Sequence, residues 1–81
     1  MKTHKSIYTD LTVASLYHFA TIRELELKRY SLKSICEEQN ILGTILLATE
    51  GINGTITGEY DCIQNVIDEI RGWQEVSDLA V

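Results

Sequence analysis

The chain has no proline, and among its 81 residues there are only two cysteines, one tryptophan and one phenylalanine. It also has no low-complexity tract and no internal repeat, which excludes a proline-rich linker and a solenoid array. Cys36 and Cys62 form no CxxC pair and no metal-like grouping with His4 or His18. That spacing excludes a disulfide framework and a sequence-defined metal site, and two free thiols inside helices are expected. Basic residues are scarce, with 7 against 12 acidic ones, a formal net charge of −5 and a pI near 4.8. Such a balance makes the domain a poor electrostatic partner for nucleic acid, because phosphate binding draws on clustered lysine and arginine. Arg23, Lys28, Arg29 and Lys33 lie close together and read as a solvated, locally basic helix face. No apolar run approaches the roughly 20 residues a membrane span needs, and no signal-peptide pattern follows Met1. A cytoplasmic protein with no membrane partner is the expectation.

What is present suffices for one small domain. A hydrophobic share of 44% beside 23% charged residues argues against disorder. Its centre is the stretch Ile45 to Gly58, ILLATEGINGTITG: an apolar run, three glycines, then a β-branched alternating segment. This pattern predicts a hairpin, closing at Glu50-Gly51, across Glu50 to Asn53, or at Asn53-Gly54. Each option leaves an even number of loop residues, so the same two faces result. One carries Ile45, Leu47, Thr49, Ile52, Gly54 and Ile56 and is apolar; Gly54 within it suggests close packing of a helix. The other carries Thr44, Leu46, Ala48, Asn53, Thr55 and Thr57, a small hydroxyl-rich set suited to solvent or to docking.

Upstream, residues 1–10 read as a flexible leader, and Leu11 to Ala20 as a first strand rich in β-formers. Ala14 and Leu16 are expected under the helices, with Val13, Ser15, Tyr17 and Phe19 on the opposite face. Glu24 to Asn40 is a helix candidate with a stripe of Leu25, Leu32, Ile35 and Cys36, starting at Glu24 or nearer Lys28 or Ser31; Asn40 is its stop. Gly58 is expected to break the hairpin's second strand. Glu59 to Trp73 is the clearest helix, with Ile63, Val66, Ile67 and Ile70 at i, i+3, i+4 and i+7 and Gly72 closing it. Trp73 is expected to plug its end against the sheet. Leu79-Ala80-Val81 reads as the beginning of a last strand, truncated at the chain end. The order β, α, β, β, α, β predicts an α+β, ferredoxin-like (acylphosphatase-like) sandwich over residues 11–81, an antiparallel sheet with two helices on one face.

This fold serves many functions, so the site must decide. An acylphosphatase needs converging amides in a glycine-rich loop after the first strand, an arginine and an asparagine. Here that loop is Ala20-Thr21-Ile22-Arg23, and Arg23 and Asn53 are the only available pair. An RNA-recognition motif needs aromatics on both central strands; Tyr17 and Phe19 supply one strand, but Asn53, Thr55 and Thr57 supply nothing to stack on. His18 reads as a structural histidine and Glu50 as a polar turn residue. No GxSxG, SxxK, HExxH or P-loop pattern occurs. The residues show no self-contained catalytic constellation and call for no cofactor.

LLATEGINGTITG (Leu46 to Gly58), together with Ala14-Ser15-Leu16-Tyr17-His18-Phe19, resembles the N-terminal domain of the rhodanese-like tRNA uridine hydroxylases. In that bacterial family a strand like ALY(K/H)F is followed by a helix, LLAxEGINGTI and a second helix. The resemblance implies an excised N-terminal domain of a longer protein, with a rhodanese-like domain downstream that carries the active-site cysteine. It implies that the parent hydroxylates the wobble uridine of certain tRNAs with molecular oxygen, a step towards 5-oxyacetyl or 5-methoxy uridine. Neither Cys36 nor Cys62 inherits the catalytic role. The implied partners are the rhodanese-like domain and, through the parent, tRNA; the docking candidates are Tyr17, His18, Glu50, Asn53, Thr55 and Thr57. A stand-alone acylphosphatase-like hydrolase and a non-enzymatic module associating through the unfinished sheet edge are the alternatives.

Overall fold

The computed structural model describes residues 11–77 and Leu79. The expected leader (1–10) and the strand expected at Ala80 and Val81 lie outside these residues. Leu79 itself is buried, belongs to no strand, and holds Arg71 through its carbonyl oxygen, with Nε at 3.2 Å and Nη2 at 2.8 Å.

Strand β1 (Leu11–Phe19) leads to helix α1 (Leu25–Glu38), the hairpin β2 (Leu42–Ala48) and β3 (Gly51–Glu59), helix α2 (Tyr60–Arg71) and a short 3-10 turn (Gln74–Val76). The sheet order is β1-β3-β2 with both pairings antiparallel, so β3 is central. Both helices pack on one face, as the α+β sandwich requires. Period-two alternation puts Ala14, Leu16, Leu47, Ile52 and Ile56 into the core, where they meet Leu32 of α1 and Ile63, Val66, Ile67 and Ile70 of α2. All four residues of the α2 stripe are buried. In α1 only Leu32 is buried, and the flanking Leu27 and Tyr30 are 65% and 75% exposed. α1 begins at Leu25, ahead of Lys28 and Ser31. It ends before Asn40, which adopts the left-handed conformation expected of a stop, φ 55.

Three expectations are corrected. The hairpin turns at Thr49-Glu50, since Ala48 pairs with Gly51 and Leu47 with Ile52, and none of the three anticipated closures is used. The reason lies outside the hairpin: the carbonyl oxygens of Thr49 and Glu50 accept the N–H groups of Ile22 (2.9 Å) and Ala20 (3.0 Å), tying the turn to the segment after β1. Gly51 follows with φ 153, and a Cβ there would collide with the His18 carbonyl and lie 3.1 Å from Phe19 Cα. The loop length stays even, so the faces assigned from the sequence are unchanged. Gly58 does not break β3; it pairs with Thr12, and a Cβ would lie 2.8 Å from Ile41 Cδ1, so the glycine makes room for a side chain. Gly54 answers to a neighbouring strand, not to a helix: a Cβ there would press on the Thr44 carbonyl and lie 2.7 Å from Ile45 Cα.

Candidate functional site

The sheet face away from the helices is uncovered among the described residues. Across it run matched rows: Val13, Thr57 and Leu42; Ser15, Thr55 and Thr44; Tyr17, Asn53 and Leu46; Phe19, Gly51 and Ala48. The polar groups occupy the central strand, and large apolar groups flank them on both sides. Tyr17 is 58% exposed, Phe19 73%, Leu42 68% and Leu46 62%. Large apolar side chains exposed together on one sheet face, here on either side of a polar central strand, mark a candidate interaction surface. Sequence reasoning had described this face as small and hydroxyl-rich. It missed Leu42, because β2 starts two residues earlier than the hairpin pattern showed, and it did not join Leu46 to the two aromatics.

At the hairpin end of this face lies a shallow groove of about 170 Å³, which brings together Tyr17, His18, Glu50 and Asn53 with Phe19 and Leu46. Tyr17 and Phe19 meet edge to face, with centroids 5.0 Å apart and planes at 67°. Asn53 sits opposite both Tyr17 and Leu46 in register, presenting an amide between two apolar walls. His18 pairs with Ile52 on the row that faces the helices and is half-buried. Thr55 and Thr57 do not line this groove; they lie further along β3. The strand residues of this face include no lysine or arginine, and acid enters only at Glu50 in the turn and Glu59 at the end of β3. The surface therefore suits an apolar or neutral partner and disfavours phosphate.

Two members of the basic cluster, Lys28 and Arg29, are engaged within the fold, whereas the side chains of Arg23 and Lys33 stay exposed. Lys28 donates to Glu75 (3.1 Å) and to the Arg23 carbonyl (2.6 Å), and its ammonium stands 5.8 Å from the centroid of Trp73. Trp73, half-buried, packs against the core at the end of α2. Arg29 donates to Glu26 (2.7 Å) and to the Leu47 carbonyl (3.1 Å). The Glu75 carboxylate is held down from 4.5 to about 2, first by its own backbone N–H, then by the Arg23 N–H at 3.0 Å and by Lys28.

These contacts bear on acyl phosphate chemistry. The N–H groups of Ala20 and Ile22 bond the hairpin turn and that of Arg23 bonds Glu75, so the loop after β1 does not offer these amides to an anion. Cys36 and Cys62 are free and half-buried, and burial pushes the Cys36 thiol up, away from nucleophile chemistry. Among the described residues no group of three His, Cys, Asp or Glu could hold a metal ion, and no helix is long and apolar enough to cross a membrane.

Residues 11–81 match the family model of the UPF0176 acylphosphatase like domain. Among curated relatives, a protein of Agrobacterium fabrum named tRNA uridine(34) hydroxylase is 43% identical over 70 residues, 86% of this chain and 22% of its own length. One of Rhizobium leguminosarum bv. trifolii with the same name is 42% identical over 77 residues, 95% of this chain and 24% of that protein. A third, from Jannaschia sp., is 47% identical over 60 residues, 74% of this chain and 20% of that protein. The chain thus spans between a fifth and a quarter of the relatives it matches. With three antiparallel strands and two helices on one face among the described residues, and a family match from Leu11 onward, the chain belongs to the UPF0176 acylphosphatase-like domain family.

Proposed function

We propose that this domain is the N-terminal accessory part of an oxygen-dependent tRNA uridine hydroxylase, which modifies the wobble uridine. In this reading the fragment is not catalytic by itself, and the parent acts in the cytoplasm. The open sheet face docks the domain against the rhodanese-like domain of the parent and so helps to shape the tRNA site. The observation that carries the reading is the exposed set of Tyr17, Phe19, Leu42 and Leu46 on either side of Asn53, Thr55 and Thr57 of the central strand, free of cations, in a chain 42–47% identical to part of proteins named tRNA uridine(34) hydroxylase. Its lack of positive charge favours a protein surface over RNA as the direct partner, which puts tRNA contact on the assembled parent.

The test is alanine substitution of Tyr17, Phe19 and Asn53 together in the full-length parent. All three are exposed on the open face, so folding of the domain is retained while docking weakens. The expected result is lower tRNA affinity and slower hydroxylation with little change in the melting of the isolated domain. Unchanged affinity and hydroxylation would refute the docking role.

A further inference from the structure

We propose that the free edge of β2 is a self-association site, at which two copies of the chain pair their β2 strands antiparallel about a two-fold axis at Thr44. This inference rests on the backbone edge of β2, although Leu42 and Leu46 also belong to the open face proposed for docking. Among the described residues β2 is one of the two outer strands of the sheet, and its sequence, LGTILLA, contains no charge and no proline. The devices that usually blunt an edge are thus missing from the strand itself, and its unpaired backbone groups are a template for another strand.

One contact selects the register. Arg29 Nη2 already occupies the Leu47 carbonyl at 3.1 Å, so the pairing that leaves this bond intact runs from Leu42 to Leu46 and centres on Thr44. In that register Leu42 of one copy faces Leu46 of the other, twice by symmetry, covering the two exposed leucines of the strand. On the opposite face Gly43 meets Ile45 of the second copy. Gly43 borders a cavity of about 320 Å³ between α1 and the sheet edge, lined also by Leu32, Cys36 and Ile41. A side chain at Gly43 is excluded by its φ of +114 and by the Thr55 carbonyl, so the space beside it is open to the half-buried Ile45 of the partner copy.

Charge both supports and weakens this arrangement. Arg29 of α1 is level with Leu47, and Cys36 lines the cavity beside Ile41, so the helix runs antiparallel to β2 with Lys33 near the level of Thr44. The two-fold axis then sets Glu37 of each copy near Arg29 of the other, while the two Lys33 approach one another. That approach and the net charge of −5 per chain make the dimer weak and strengthened by salt.

The test is sedimentation velocity of the 81-residue chain over roughly a hundred-fold range of concentration, at low and high salt. The expected result is a monomer that becomes a dimer with rising concentration, more readily at high salt. Thr44→Lys and Leu42→Lys, both at exposed side chains, each raise the dissociation constant about tenfold or more. Val13→Lys, on the same face but on β1, leaves it unchanged. Circular dichroism confirms that all three variants are folded. A monomer throughout, a dimer indifferent to Thr44→Lys, or a dimer weakened equally by Val13→Lys would each overturn the proposal.

Discussion

Replacing Gly54 with alanine separates a turn glycine from a strand glycine. Gly54 has no positive φ, so a side chain costs nothing through the backbone dihedral; the conflict is with β2, whose Ile45 Cα would lie 2.7 Å from the new Cβ beside the Thr44 carbonyl. Those are backbone atoms held by a ladder, and they cannot rotate away. Relief requires β2 to move off β3, which costs about 1–3 kcal/mol as overpacking and about 1 kcal/mol for each ladder hydrogen bond that opens. A loss of roughly 3 kcal/mol is large against the ~4–12 kcal/mol expected of a domain this size. Gly58→Ala is the control. Its Cβ would meet Ile41 Cδ1 at 2.8 Å, a terminal methyl that can swing aside, and Ile63 only at 3.7 Å. The reduced freedom of the unfolded chain offsets much of the remaining cost, and the net change stays within about 1 kcal/mol. Urea unfolding followed by the fluorescence of Trp73, the single tryptophan, reads both variants. Equal midpoints for Gly54→Ala and the unsubstituted domain, or a larger loss for Gly58→Ala, would refute the reasoning.

Glu24, at the start of α1, sits in the left-handed region at φ 52, ψ 49 without a side-chain cap, so Glu24→Gly is expected to stabilise the domain by about 1 kcal/mol, seen as a higher melting temperature. The Glu75 carboxyl is depressed in the fold, so its contribution is fully present above its ordinary pKa of 4.5 and is lost as pH falls through about 2. Glu75→Gln should therefore flatten the decline of stability between those two pH values, and a decline of unchanged slope in acid unfolding curves would contradict the assignment.

The core was legible because its code is periodic. Ile63, Val66, Ile67 and Ile70 repeat at helical spacing, and every hairpin closure consistent with an even loop gave the same inward residues, so an error in the turn left the core assignment intact. The turn itself was not legible. Asn53-Gly54 is the strongest local hairpin signal in the chain, yet it lies within β3, because Thr49 and Glu50 gain partners from Ile22 and Ala20 and Gly51 admits the β1 backbone. Those are contacts between segments about thirty residues apart, outside any local pattern. The same holds for the candidate surface: Tyr17 and Phe19 were placed correctly away from the helices, but their union with Leu42 and Leu46 depends on the strand order β1-β3-β2. The basic run of α1 also changed meaning, since the destination of Lys28 is Glu75, 47 residues on.

The most direct test of the accessory-domain account compares tRNA binding and wobble-uridine hydroxylation, at one fixed low salt concentration, for the full parent, the parent lacking residues 1–81, and the isolated domain. The account predicts tight binding and turnover by the full parent alone, because the site is completed when the sheet face docks. Normal binding and hydroxylation by the truncated parent would contradict it.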